Sequence, residues 1–163
     1  MNIFKIADNE SGLTQQEIAH ALRQSLEDRH PRRVLILPPD FTRYHSNAGF
    51  ITNTYYHILQ NMGAEVDIMP ALGTHEPMTE EQALAMFGDV PYEKLIPHNW
   101  RTDVLKVGEV PSSYLEDVTE GLWHEPISVE INRRVMDEQY DLIISPGQVD
   151  PQEVIGMFNH AKN

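Results

Sequence analysis

Apolar residues follow two patterns along the chain, and the order of these patterns predicts an α/β fold. Residues 34–37 form a continuous apolar run, typical of a buried parallel strand, and Pro38 and Pro39 end it. Residues 65–69 alternate polar and apolar side chains, as a strand does. Residues 141–145 contain a further apolar run. We therefore expect these segments to form strands of a mainly parallel sheet.

The segment before the first strand has the pattern of a helix. Thr14 and Glu17 have the spacing of a capping box, in which each residue bonds the backbone N–H of the other. Apolar residues then recur at helical spacing, at Ile18, Leu22 and Leu26. This spacing predicts an amphipathic helix over residues of about 14–28, which we expect to cover a face of the sheet.

Two more helices are predicted between the strands. Residues 47–62 repeat apolar side chains with helical periodicity, and Gly63 supplies the stop. A strand, a helix and a strand in this order predict a right-handed parallel βαβ unit. Thr79 and Gln82 form a second capping box, which opens a short helix over residues 80–87.

The region after these helices is less regular. Alternation predicts strands at about 104–107 and at 127–131. Between them we expect an irregular loop, whose acidic run to Glu120 is solvated. We interpret residues 1–163 as a single three-layer α/β domain, Rossmann-like, with a mainly parallel sheet.

Composition narrows the classes of protein that fit. The formal charge of −13 argues against nucleic-acid binding, because affinity for phosphate backbones depends on clustered lysine and arginine. The absence of cysteine excludes disulfides and thiolate metal sites. No apolar run has transmembrane length, and the first residues do not resemble a signal peptide. We expect a cytoplasmic protein without membrane partners.

Polar side chains directly follow the first buried strand. Asp40, Thr42 and Arg43 suit an anionic ligand, since a guanidinium can hold a carboxylate or phosphate with two hydrogen bonds. The alternative is an ion pair between Asp40 and Arg43 that only fixes the loop.

Three histidines are candidates for chemistry. His75 follows the second strand in a short connection that contains Gly73, and it is either a site histidine or an ordinary loop histidine. His98 is more consistent with loop packing. A metal site made by His75, His98 and His160 is the weakest interpretation, because no pair has close helical ligand spacing.

Three motifs occur in the order seen in the lactate racemase family. They are the segments 40–43, 73–79 and 151–162. From about Arg33 to its last residue, the chain resembles the amino-terminal domain of that family, whose cofactor is a nickel-pincer nucleotide. Family members have a second, carboxyl-terminal domain, which closes over the cofactor and supplies a histidine ligand to nickel. That domain is missing here, so we expect a truncated domain that is inactive by itself.

The resemblance implies a role for each matching residue. His75 matches one of two acid/base histidines, whereas Gln152 stands at the position of the other. The remaining implied roles are substrate binding by Arg43 and Asp40, covalent cofactor attachment at Lys162, and cofactor contacts from Thr42, Gly73 and Thr74. The family takes a hydride from C2 of a 2-hydroxy acid while a histidine takes the hydroxyl proton, and then returns the hydride to either face.

Two functions therefore follow from the sequence. The first is a racemase or epimerase of a 2-hydroxy acid, and the second is a non-catalytic domain of the same fold that binds a small anion or nucleotide. Gln152 supports the second, because an amide cannot exchange a proton near neutral pH.

Overall fold

The computed structural model describes residues 2–152 and 156–159, and the chain divides into two compact units. The first unit contains Met1–His98 and Gln139–Asn163, and the second contains Asn99–Glu138. The elements of the first unit are α1 (Gln15–Ser25), β1 (Arg33–Ile36), α2 (Ala48–Asn61), β2 (Glu65–Ile68), α3 (Glu80–Phe87), β5 (Leu142–Ile144), β6 (Val149–Gln152) and β7 (Gly156–Asn159). Those of the second unit are β3 (Val104–Val110), α4 (Ser112–Val118) and β4 (Ile127–Asn132).

The sheet of the first unit confirms the three strands expected from the apolar runs. Its order is β2-β1-β5, and both pairings are parallel. Val34 lies opposite Val66 on one side and Leu142 on the other. Because β1 is central, Val34, Leu35 and Ile36 are all fully buried, which explains its uninterrupted apolar sequence. The α/β class is therefore confirmed.

Both capping boxes form. Thr14 Oγ1 accepts from the Glu17 amide at 3.2 Å, and the Thr14 amide donates to Glu17 Oε2 at 2.8 Å. At α3, Thr79 Oγ1 accepts from the Gln82 amide at 3.2 Å, and the Thr79 amide donates back to Gln82 Oε1 at 3.0 Å. Two short side chains thus define both helix starts from local sequence alone.

The first helix differs from its prediction in length and in packing. It ends at Ser25, three residues before the expected end at 28, and it packs against α2. The hydroxyls of Ser25 and Tyr55 share a hydrogen bond of 2.9 Å across this contact. No residue of α1 is fully buried. Within the first unit α2 packs on β2, and α1 lies on α2.

The second helix spans nearly the expected range and contributes buried residues to the core. Its buried positions include Thr52, Tyr56 and Leu59, which recur at spacings of four and three residues. Met62, which was expected on the apolar face, is 40% exposed at the carboxyl end. Gly63 follows with φ 83°, a left-handed conformation that ends the helix at low cost.

A glycine allows α2 and α3 to approach closely. A Cβ built on Gly49 would lie 2.1 Å from the carbonyl oxygen of Met86. This oxygen belongs to the backbone of α3 and cannot move without displacing the helix. We expect Gly49→Ala to lower the free energy of unfolding by about 1–3 kcal/mol, the usual cost of overpacking.

Urea unfolding followed by circular dichroism measures this effect, and Gly108→Ala is the matched control. Gly108 has no positive φ, and no heavy atom lies within 4 Å of a Cβ added there. A Gly49→Ala protein as stable as the Gly108→Ala protein would show that the helices separate without cost.

The second unit contains an antiparallel pair and a helix that was not predicted. β3 pairs with β4, and Val104 lies opposite Asn132. The strand predicted at 104–107 continues to Val110. The segment expected to be an irregular loop instead contains α4, which is preceded by Pro111 and buries only Leu115. A single apolar contact provides too weak a periodic signal to be recognised in the sequence.

The described chain ends in an antiparallel ribbon. In this ribbon β6 pairs with β7, and Gln152 lies opposite Gly156. Pro151 occupies a position in β6, which a two-stranded ribbon tolerates because it has a free edge. Among the described residues, no helix is both long enough and apolar enough to cross a membrane.

Candidate functional site

The candidate site lies where β1 and β2 end side by side. Beyond the strands their backbones continue to pair, since the Ala71 amide donates to the Pro38 carbonyl at 2.8 Å and Pro39 forms a parallel bridge with Ala71. The loops that follow therefore begin next to each other, at the carboxyl edge of the sheet. Ligands bind at this edge in open α/β folds.

The loop after β1 is a 3₁₀ helix, Phe41–Ser46, and Asp40 caps it. The Asp40 carboxylate oxygen Oδ1 accepts a hydrogen bond from the Thr42 amide at 3.0 Å and another from the Thr42 hydroxyl at 2.5 Å. Phe41 packs against the hydrophobic core. The loop therefore holds Asp40 in a single buried position.

The loop after β2 positions His75. Buried Leu72 and Met78 anchor its two sides. The His75 amide donates to the Leu72 carbonyl at 2.9 Å, which closes a tight turn through Gly73. Gly73 has φ 58°, a left-handed conformation that favours glycine. The short connection expected from the sequence is present, and its turn determines where the imidazole lies.

The two loops meet in a hydrogen bond between Asp40 and His75. The distance from His75 Nδ1 to Asp40 Oδ2 is 2.5 Å. The Asp40 side chain is only 8% exposed, whereas the His75 side chain is 55% exposed. An ionised carboxylate can only accept, so Nδ1 carries the proton and donates it. No described residue bonds Nε2, which leaves that nitrogen available as a base.

The environment of Asp40 favours its ionised form. Burial raises the pKa of Asp40, but the hydrogen bonds from Thr42 and His75 together outweigh it, so the pKa lies below its ordinary value. Asp40 is therefore a carboxylate at neutral pH. A buried carboxylate beside a half-exposed imidazole is the arrangement by which hydrolytic enzymes orient a catalytic histidine.

The side chains of Arg43 and Asp40 do not form an ion pair. The carboxylate of Asp40 is occupied by Thr42 and His75 instead. The alternative of an Asp40–Arg43 ion pair is wrong for the same reason. Within residues 2–152 and 156–159, the guanidinium of half-buried Arg43 has no ion-pair or hydrogen-bond partner. It remains available for an anion at the same loop.

Backbone groups beside His75 are also available to a ligand. Within the described residues, neither the Gly73 nor the Thr74 amide donates a hydrogen bond to the protein. A Cβ added to Gly73 would meet no heavy atom within 4 Å, so the turn faces open space. Free amides in a turn with positive φ suit a phosphate or carboxylate oxygen.

Three candidate residues from the third motif cannot be compared with this geometry. Lys162 and His160 lie outside the described residues, and only the backbone of Gln152 is described, in β6. His98 is half-buried and has interactions of its own. In the part of the chain that the structure describes, no group of three or more histidine and acidic side chains is arranged to hold a metal ion.

The pairing of Asp40 with His75 was not recognised in the sequence, although a signal existed. Both residues follow neighbouring parallel strands and come soon after a proline that ends the strand. Parallel neighbours deliver their carboxyl ends to one edge, so side chains on the two loops meet. The role of Thr42 as a double donor to Asp40 had no sequence signal beyond the capping preference of aspartate.

Comparison with known proteins gives one family and several similar folds. A family model described as the lactate racemase N-terminal domain matches residues 7–162. A Thermotoga maritima protein, a target of the Northeast Structural Genomics Consortium, superposes with a TM-score of 0.76 at 24% identity, over 87% of this chain and 34% of that protein. The lactate racemase apoprotein from Thermoanaerobacterium thermosaccharolyticum gives a TM-score of 0.53 at 21% identity, over 86% of this chain and 29% of that protein.

The two solved structures are much longer than this chain. The chain spans 34% of the first and 29% of the second, about a third of their length. At 24% and 21% identity, they establish the fold alone. No curated protein matches the chain.

Proposed function

Because the chain belongs to the family of lactate racemase N-terminal domains, we propose that it forms the proton-transfer and substrate-binding part of an isomerase that acts on a 2-hydroxy acid. In this proposal the chain works within a longer protein and is inactive alone. The observation that carries the proposal is the hydrogen bond between buried Asp40 and half-exposed His75 at the carboxyl edge of the sheet.

His75 is the proposed general base. With Nδ1 held by Asp40, Nε2 takes the proton of the substrate hydroxyl, and the ionised carboxylate stabilises the imidazolium that forms. The same nitrogen returns the proton when the hydroxyl is restored. Proton transfer at a single positioned atom thus accounts for one half of a reversible reaction.

Arg43 is the proposed substrate anchor. Its guanidinium has no partner among the described residues and lies on the same loop as Asp40. A planar guanidinium holds a carboxylate through two hydrogen bonds, which orients the hydroxyl-bearing carbon next to it. The carboxylate of a 2-hydroxy acid satisfies this requirement.

The residues of this edge fit the anionic part of a nickel-pincer nucleotide. The free amides of Gly73 and Thr74, with the Thr74 hydroxyl beside them, suit phosphate oxygens, and Lys162 is the proposed covalent attachment point. When bound, the group supplies the hydride acceptor of the reaction. The chain contributes anion binding, orientation and proton transfer.

Gln152 gives the proposed enzyme an asymmetric active site. Its amide can bind a hydroxyl or carboxylate, but it cannot accept a proton. We therefore expect racemisation that is slower in one direction of hydride return, or a substrate other than lactate. The same residue favours the second candidate, a non-catalytic domain that binds a small anion or nucleotide.

Cofactor loading distinguishes the two candidates. The full-length protein would be isolated from cells that make the nickel-pincer nucleotide, and intact mass, nickel content and racemisation of 2-hydroxy acids would be measured. The enzyme predicts a mass adduct at Lys162 that Lys162→Ala removes and that Lys94→Ala, a control outside the three motifs, retains. Protein without nickel or adduct would support the binding domain instead, and an adduct that survives Lys162→Ala would refute attachment at Lys162.

A further inference from the structure

The two oxygens of Asp40 bind different partners. Oδ1 accepts both hydrogen bonds from Thr42, from its amide at 3.0 Å and from its hydroxyl at 2.5 Å. Oδ2 accepts the hydrogen bond from His75 Nδ1 at 2.5 Å. The side chain is 8% exposed, so solvent contributes little to its hydrogen bonding. Thr42 therefore determines which oxygen is left for the histidine.

We propose that the Thr42 hydroxyl is a positioning group that fixes the tautomer of His75 through Asp40, rather than a ligand of the cofactor. The proposal rests on the proposed function only in taking His75 as the proton acceptor. Thr42 itself touches neither substrate nor reacting atoms in this scheme. Its effect on the imidazole is indirect, through the orientation and the proton affinity of the carboxylate.

The hydroxyl has an effect that the backbone cannot replace. Any residue except proline at position 42 retains the amide donor, because the 3₁₀ helix presents it to Asp40. Only a hydroxyl adds the second donor at Oδ1, and only threonine or serine supplies it there. Two donors keep Oδ1 turned away from the imidazole and draw negative charge from the carboxylate, which keeps the shared proton on His75 Nδ1.

Loss of the hydroxyl removes this restraint. With one donor at Oδ1, the carboxylate can rotate, and its hydrogen bond to Nδ1 no longer holds one geometry. A less restrained neutral imidazole populates both tautomers. Nε2 then carries a proton for part of the time and cannot accept one from a substrate during that time.

Nitrogen NMR of the histidine rings tests the proposal on the 163-residue chain itself. The ¹⁵N-labelled protein would be measured at a pH where the rings are neutral. We expect wild type to show His75 protonated at Nδ1 only. In Thr42→Val, which replaces the hydroxyl by a methyl group, the two ring-nitrogen signals should move towards each other as the tautomers mix. Thr42→Ser should restore the wild-type pattern.

His57 is an internal control in each spectrum. It bonds Asp89 Oδ1 through Nε2 at 2.9 Å, so its tautomer is the opposite one and does not depend on Thr42. Unchanged His57 signals and an unchanged backbone amide spectrum show that the fold is intact. If Thr42→Val does not fold, Thr42→Ala is interpreted by the same criteria.

Two results would overturn the proposal. One is a Thr42→Val protein whose His75 signals match wild type, since Thr42 would then only cap its helix. The other is a Thr42→Ser protein that changes as much as Thr42→Val, since the hydroxyl would then not be the cause. Neither result depends on turnover, so failure of the proposed racemisation would leave this measurement unaffected.

Discussion

Replacement of His75 by asparagine in the full-length, cofactor-loaded protein is expected to reduce 2-hydroxy-acid racemisation by about 10²- to 10⁴-fold. Asparagine approximates the volume of the ring and retains hydrogen-bonding groups, but it does not titrate. The loss should appear in kcat, because the proton moves only after the substrate is bound. Chiral chromatography of the product over time measures the racemisation rate of wild type and of His75→Asn.

His57→Asn is the matched control for this change. His57 also pairs with an aspartate, Asp89, but it lies on α2 and away from the two loops. The control should retain wild-type turnover. An active enzyme whose kcat is the same in the His75→Asn and His57→Asn proteins would refute the role of His75.

Asp40→Asn is expected to cause a loss of similar size, although Asp40 does not touch the substrate in this mechanism. The Thr42 amide and hydroxyl both donate to one oxygen of residue 40, so the asparagine oxygen must remain on that side. Its NH₂ group then faces His75 Nδ1, which must become the acceptor. The proton moves to Nε2, and the base is blocked.

The magnitude follows from known histidine–aspartate pairs. In serine proteases the same replacement keeps the geometry but lowers kcat by about 10⁴-fold, because the histidine adopts the wrong tautomer. The partly exposed imidazole of His75 can also exchange its bonds with water, so we expect about 10²- to 10⁴-fold. Asp89→Asn, which alters the partner of His57, is the matched control.

The double variant makes this prediction more specific. Since Asp40 acts only through His75, Asp40→Asn combined with His75→Asn should cost no more than His75→Asn alone. Additive losses would mean that Asp40 acts independently of the histidine. Wild-type kcat in Asp40→Asn would show that the hydrogen bond at Nδ1 does not control the base.

The Asp40→Asn variant should also differ from wild type in how its stability depends on pH. The pKa of Asp40 is lower in the folded protein than its ordinary value, so the ionised carboxylate stabilises the fold above the unfolded pKa of about 3.9. This contribution is lost as the pH falls through the folded pKa. Wild type should therefore be more stable than Asp40→Asn at neutral pH, and the difference should shrink below about pH 4 in thermal unfolding.

Local sequence determined those elements whose signals are themselves local. The continuous apolar run of β1 predicted a buried parallel strand, because a strand covered on both faces has no polar position. The capping boxes at Thr14 and Thr79 marked two helix starts, because each is closed by hydrogen bonds within four residues. The place of His75 just after a strand also followed from its neighbours Gly73 and Pro70.

Only the tertiary structure decided how these pieces pair. Asp40 and His75 are 35 residues apart, and their contact exists because β1 and β2 are neighbours in register. The sequence suggested an ion pair between Asp40 and Arg43, three residues away. In the fold, the Asp40 carboxylate instead accepts hydrogen bonds from Thr42 and His75. A short-range pattern cannot show which of several polar partners a buried carboxylate accepts, since that choice depends on backbone positions set by distant strands.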